Sequence, residues 1–356
     1  MKVGYVPYSQ DLSHPADRRR LAMWASESNL ELEILNPLDC DLLVLSNAAN
    51  FSYWMQKTNK PVILDLVDGY LGEAPPLYKD AARNLLRTIS GSSQFLWCRY
   101  TNHLKFAIQN CSAVIVASPE QRESVLPFNK NVYVIQDDHS ELEIETTDLN
   151  SSQCNAHEVH LFWEGFGYTL KHFRIFATVL DTYLDENNYG LYLLTNLEFP
   201  RWGGSLGKHN TEKLIRKWFP KSFKQFHIIS WSLEEVTDKA KKSKLAVIPI
   251  DTNDKFAALK PENKLLSMWH LNLPTLFSPI NSYLRVQIQA GIAADCRTPL
   301  DWVTKIDELV NSEIKAKHDV HSSRLFLSSN HTKPLLAAKW GTAIEETLEK
   351  HRKKFY

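Results

Sequence analysis

Metal-ligand spacings are missing from this sequence. Its five cysteines, Cys40, Cys98, Cys111, Cys154 and Cys296, are odd in number and widely scattered, with no CxxC and no His/Cys cluster. That pattern indicates neither a zinc site nor a disulfide framework, and it fits a reducing cytoplasm. Net charge is missing too: 41 Lys and Arg balance 41 Asp and Glu. A general nucleic-acid binder normally carries a basic excess, so that class loses weight. No apolar run approaches the ~20 residues of a membrane-spanning helix. The opening MKVGYVPYS runs straight into a strand-like segment with no signal-peptide core, and no solenoid-type repeat is visible. These absences lead to the expectation of a cytoplasmic protein, soluble or at most peripheral on the inner face of the membrane.

What is there is globular. The 356 residues are 44% hydrophobic and 11% aromatic, enough for large cores in two domains. Strand-like and helix-like segments alternate from residue 1 to about 145. Strands are expected at Val3–Pro7, Leu30–Ile34, Leu42–Leu45, Pro61–Val67, Ala113–Ala117 and Val132–Gln136. Helices are expected at Arg18–Ser28, within Leu77–Gln109, and after the capped start SPEQRESVL. A polar stretch, 146–158, reads as a linker. A second alternating series spans 159–332, with strands at Val159–Trp163, Gly190–Thr195 and Gln225–Ile229 and helices at Lys171–Asn187, Thr211–Trp218 and Leu300–Asn311. Alternation of this kind argues for doubly wound parallel sheets. A last helix, about Pro334–Lys354 within 333–356, closes the chain.

The stretch Lys244–Tyr283 carries the most information. Leu245–Ile250 reads as a buried strand, Asp251–Pro261 as a polar loop, Glu262–Leu271 as a helix and Leu273–Phe277 as a further strand, with Asn272 as a left-handed stop. In such a βαβ unit the loop lies where open parallel sheets bind ligands, beside a helix N-terminus. Lys260, Asn263 and Lys264 gather there, and a diphosphate suits the place.

The pattern KPENKLLSMWHLNLPTL also resembles the nucleotide-binding segment of GT-B glycosyltransferases, of the family 4 type in particular. The matching positions are Lys260, Asn263, Lys264, Leu265, Leu266, Leu271 and Pro274. Ser267 stands where that family has the glutamate that holds the donor ribose, and Leu259 where it has an earlier glutamate. WEGFGYTLKHF is similar to the family's phosphate-gripping segment: Gly165 and Lys171 match, and Phe166 replaces an arginine. The resemblance implies an α/β GT-B fold, with an acceptor-side Rossmann-like domain at 1–145, a donor-side one at 159–332, and a C-terminal helix packing back on the first. It implies a metal-independent transferase with no cofactor. That transferase would move a sugar from a nucleotide-sugar donor to a glycan or lipid-linked acceptor in polysaccharide or glycoconjugate biosynthesis. Two rival readings are a GT-B nucleotide-sugar epimerase and a catalytically silent GT-B scaffold.

Candidate site residues follow. Donor binding falls to Gly165, Lys171, Arg201, Lys260, Asn263, Lys264 and Ser267; for Arg201 a merely solvated loop cation is the competing role. In SQDLSHPADRRR, after the first strand, His14 stands where several inverting families carry a general base, a role histidine fills near pH 7. Asp17 could orient it or act as base, or cap the expected helix Arg18–Ser28. Asp68, at the end of DLVDG, is a third catalytic candidate. KLIRKWFPKSFKQF interleaves basic and aromatic residues, which suits membrane-surface contact but equally an ordinary amphipathic helix.

Overall fold

The computed structural model describes residues 1–72, 85, 88, 100–144, 159–175, 177–200, 207–254 and 259–353. The chain divides into two compact units. The first comprises Met1–Asp138, Leu259–Asn263 and Asn330–Tyr356; the second comprises His139–Ala258 and Lys264–Ser329. The stretch expected to link two domains, and Arg201, lie outside the described residues.

In the first unit, β1 (Val3–Val6), β2 (Leu32–Glu33), β3 (Leu42–Ser46), β4 (Val62–Leu66), β5 (Ala113–Val116) and β6 (Val132–Val134) form one sheet. The order is β2-β1-β3-β4-β5-β6 and every pairing is parallel. Parallel sheets are covered on both faces, which is why β3 and β4 read as near-continuous apolar runs, interrupted only by Ser46 and Asp65 at their carboxyl ends. All five residues of each are buried. Alternate side chains then serve opposite cores. Tyr5, Val44, Ile63 and Ile115 pack with the helices Leu21–Glu27 and Lys333–Arg352, the latter through Leu336, Trp340 and Ile344. Leu43, Leu45, Leu64 and Val116 pack on Phe51, Leu104 and Ile108 from the other side. Leu336, Trp340 and Ile344 are fully buried. At roughly 1.5–3 kcal/mol for each such side chain, the C-terminal helix is part of this unit's core.

One expected helix is broken. Arg18–Ser28 becomes two pieces, Pro15–Arg18 and Leu21–Glu27, because Arg20 leaves helical geometry at φ −127°, ψ −107°. Its side chain turns inward. Nε and Nη2 donate to Asp65 at 2.6–3.0 Å, and Nη1 donates to Asp137 Oδ1 at 2.7 Å and to the Ile135 carbonyl at 2.8 Å.

The second unit has β7 (His160–Glu164), β8 (Gly190–Thr195), β9 (Glu198–Pro200), β10 (Lys208–Asn210), β11 (Phe226–Ser230), β12 (Leu245–Ile248) and β13 (Thr275–Phe277). Five of these make a parallel sheet, order β11-β8-β7-β12-β13, while β9 and β10 form a separate antiparallel pair. Helices Thr211–Trp218 and Leu233–Lys241 start at the side-chain caps Asn210 and Ser232. Asn272 takes the left-handed conformation, φ 57°, that ends Asn263–His270. The expected helix Lys171–Asn187 starts later, at Ala177, after a run of 3₁₀ turns over Gly167–Ile175. At the start of that run Gly167 lies against the Phe199 ring, where a Cβ would come within 2.2 Å, and its N–H donates to Asn196 Oδ1. Among the described residues no helix is long and apolar enough to cross a membrane.

Candidate functional site

In the second unit, the chain leaves β7 toward β8 on one side and leaves β12 toward β13 on the other. The carboxyl ends of β7 and β12 therefore frame a topological switch point, the place where open α/β sheets hold ligands. Register sets the two ends level, since Leu245 pairs with Leu161 and Ala246 with Phe162. The two following loops are tied together. Lys171 Nζ bonds Asp254 Oδ2, and the Asp251 N–H donates to His172 Nδ1 at 3.2 Å.

Lys264 stands at this switch point. It lies in the first turn of Asn263–His270, and its Nζ donates to the Glu164 carbonyl at 2.6 Å while standing 4.4 Å from the Trp163 ring centroid. Gly165 makes room for it. A Cβ there would stand 2.4 Å from Lys264 Nζ, and φ is +152°, a conformation L side chains rarely adopt. Trp231 steadies the strand end by donating from Nε1 to Glu164 Oε2 at 3.1 Å. The arrangement is one ammonium fixed on a backbone carbonyl and an aromatic face, with a second, Lys171, at the rim. That is suited to a polyanion. Phe166, half exposed, stacks on Tyr168 at 5.5 Å beside it.

Lys171 makes its ion pair at the surface, with its side chain 60% exposed. Pairs of that kind contribute about 0–1 kcal/mol to stability. Lys171→Ala is therefore expected to leave the thermal midpoint almost unchanged while weakening binding of a nucleoside diphosphate. Paired melting and titration curves check both halves.

The cations expected together divide differently. Lys260 belongs to the short stretch Leu259–Asn263 that packs in the first unit, where Leu259 covers Gly69 so closely that a Cβ would meet it at 2.7 Å. There the Lys260 charge acts on Asp68. Asn263 opens the helix that carries Lys264. Ser267 is buried, with Oγ 3.0 Å from His139 Nδ1.

The first unit has its own switch point, between β1 and β3. The loop after β1 is built on Asp17, which is fully buried. Asp17 Oδ1 accepts from Tyr5 Oη at 2.6 Å and from the Tyr8 N–H at 2.9 Å, and Oδ2 accepts from the Ser9 N–H at 2.9 Å and Ser9 Oγ at 3.3 Å. So Asp17 caps no helix: it lies inside the short helix Pro15–Arg18, whose cap is His14, with Nδ1 accepting the Ala16 N–H at 3.1 Å, and Leu21–Glu27 starts at Arg20 without a side-chain cap. The His14 ring stacks on Tyr8 at 4.6 Å, and Tyr8 Oη lies 3.5 Å from Tyr70 Oη. Asp68 follows β4, and the neighbouring Gly69 N–H donates to its Oδ1 at 2.9 Å. Burial raises the Asp68 carboxyl above its ordinary range, with Lys260 opposing.

Sequence reasoning did not anticipate Trp163, Tyr8, Tyr70 or the pairing role of Asp254. All four sit on or just after strand carboxyl ends, and position relative to those ends was the available signal. Among the described residues, no group of three His, Cys, Asp or Glu side chains is placed to hold a metal ion.

Two units with parallel α/β sheets of six and five strands, and a C-terminal helix returned to the first, are the GT-B fold. Solved structures agree. HepE of Anabaena, in complex with UDP and glucose, has a TM-score of 0.60 at 10% identity, over 91% of this chain and 89% of that one. WaaG, a glycosyltransferase involved in lipopolysaccharide biosynthesis, gives 0.53 at 10% identity, over 96% and 85%. S. aureus TarM, in a structure containing UDP, gives 0.57 at 12% identity, over 85% of this chain and 55% of that one. The chain spans about half the length of the TarM structures it matches. No protein-family model matches the chain, and no curated protein matches it in sequence.

Proposed function

We propose that this chain is a glycosyltransferase that takes a sugar from a nucleotide-sugar donor and passes it to a hydroxyl of a glycan or lipid-linked acceptor. The observation that carries the reading is the Lys264–Gly165 arrangement at the second unit's switch point. An ammonium held there would neutralise a leaving diphosphate, with Lys171 as an outer cation and the first turn of Asn263–His270 beside it. HepE and TarM, structures of like fold, hold UDP, which supports a uridine nucleotide as the first donor to try.

In this reading the first unit receives the acceptor. The acceptor oxygen bonds to the anomeric carbon as the bond from that carbon to the diphosphate breaks, and the hydroxyl proton leaves to a base. Asp68 suits that task better than the other two candidates. Its raised carboxyl pKa brings it closer to the working pH, whereas Asp17 spends both oxygens on its own loop. With Asp68 as base, displacement at the anomeric carbon inverts its configuration.

The test is a thermal-shift panel of UDP, GDP, CMP and their sugar conjugates on wild type and on Gly165→Ala. A ligand that binds only the folded chain at about 100 times its Kd adds about 2.7 kcal/mol of stability. A shift for one nucleotide series, lost in Gly165→Ala, is the expected result. No shift with any nucleotide on wild type overturns the reading.

A further inference from the structure

His14 is held in a way that decides which of its nitrogens carries the proton. Nδ1 accepts the Ala16 N–H at 3.1 Å and so keeps its lone pair there. In a neutral imidazole the one proton must then sit on Nε2. A protonated Nε2 has no lone pair with which to take another proton. The loop allows little escape from this arrangement. The His14 N–H donates to Ser9 Oγ at 2.9 Å, Ser9 is anchored on Asp17, and the imidazole plane lies within 13° of the Tyr8 ring. Freeing Nε2 as an acceptor requires the other tautomer, with the proton on Nδ1, and that breaks the cap.

We propose that His14 is a hydrogen-bond donor, presenting Nε2–H to an uncharged hydroxyl oxygen of a bound sugar, and is not the general base. The ligand rests on the glycosyltransferase reading; the tautomer rests on the cap alone. The groups that face the ring are Asp17 and Arg18 on the turn it caps, and the phenol of Tyr8. Burial is the largest influence and, with Arg18, outweighs Asp17, so the imidazole titrates below its ordinary value. The ring is neutral at pH 7, which suits a hydroxyl; a phosphate would favour the imidazolium. Donation to the attacking oxygen would weaken it as a nucleophile. The oxygen that His14 holds is therefore a non-reacting one, and the residue selects which sugar is accepted. Proton removal is left to Asp68.

The first experiment is ¹⁵N NMR of the full chain carrying ¹⁵N-labelled histidine, with His14 assigned by its loss in His14→Asn. A pyridine-type Nδ1 and a pyrrole-type Nε2 at neutral pH are expected; the reverse pattern overturns the proposal whether or not any sugar binds. The second is UDP release from UDP-glucose over a concentration series of an alkyl glycoside that supports turnover, by wild type, His14→Asn and His14→Gln, each first shown to melt like wild type, with KM read for that acceptor probe. Asparagine can keep the cap but cannot reach as far as Nε2, and should raise KM about tenfold or more. Glutamine places an N–H near that position but cannot act as a base, and should recover most of the loss without shifting the acid limb of the pH profile. A folded His14→Gln that is as inactive as His14→Asn, with the acid limb gone, also overturns the proposal. If wild type neither binds nor turns over a nucleotide sugar, the glycosyltransferase reading fails, and the NMR pattern still decides the tautomer.

Discussion

Arg20→Met is expected to cost about 3–5 kcal/mol of folding stability, because removing one partner of a buried ion pair leaves an uncompensated buried charge. Arg20 is fully buried and Asp65 is 1% exposed. Burial works against the Arg20 charge, but Asp65 and Asp137 outweigh it and hold the guanidinium firmly protonated. Methionine fills much of the same volume and also keeps contact with Trp340, over whose ring the guanidinium now lies at 5.7 Å. The loss is thus electrostatic more than steric. Its pH dependence follows from Asp65, whose carboxyl is raised by burial despite the pull of Arg20. A folded-state pKa above the unfolded one favours folding at low pH, and that contribution is lost as pH rises through the folded value. Without Arg20 the carboxyl rises further. The deficit of Arg20→Met should then be smallest near about pH 4 and grow toward about pH 8. Urea melts across that range measure it, and adding Asp65→Asn should recover part of the loss. A variant within about 1 kcal/mol of wild type at neutral pH would show that the network matters little.

Asp68→Asn is the second large effect. Loss of a positioned general base typically lowers turnover about 10²- to 10⁴-fold. The amide keeps the size of the side chain and can still accept from the Gly69 N–H. Nucleotide binding in the second unit should be untouched, so the drop should fall in kcat and leave the UDP Kd in place. Stability should hold or rise slightly, since a carboxyl raised by burial is a charge the fold accommodates at a cost. Steady-state rates and calorimetric binding on the same preparation separate these effects. Unchanged turnover would remove Asp68 from the chemistry and favour a route assisted by the donor phosphate.

Much of the fold was legible because parallel strands announce themselves. Leu42–Leu45, Val62–Leu64 and Leu245–Ile248 are apolar on both faces, and elsewhere the caps Ser118, Asn210 and Ser232 open clear helices. Glu313–Asn330 was hidden for the opposite reason. Its buried residues are Asp319, Ser323 and Leu327, so no apolar stripe marks its inner face. The break at Arg20 was hidden because its cause, Asp65 and Asp137, lies 45 and 117 residues away.

The site was legible in kind and less so in arrangement. Lys264 and Gly165 are 99 positions apart in sequence, yet each was singled out by a local pattern, and the structure sets the ammonium against that glycine. Lys260, four residues before Lys264, packs instead in the first unit beside Asp68. Spacing alone could not separate two lysines that serve different sheets. His14 was legible as a histidine before Pro15 in the loop after the first strand, but its tautomer depends on one backbone N–H that only the folded loop brings to it.

Calorimetric titration of UDP and UDP-glucose into wild type and Lys264→Ala tests whether the switch point of the second unit binds a nucleoside diphosphate. Truncating one partner of a buried, hydrogen-bonded charge pair at an interface costs about 2–5 kcal/mol. Wild type should bind with a measurable Kd, and Lys264→Ala should raise it by about 30-fold or more, with both chains melting within a few degrees of each other. Equal affinity in a folded Lys264→Ala would place the diphosphate elsewhere and remove Lys264 from the donor site.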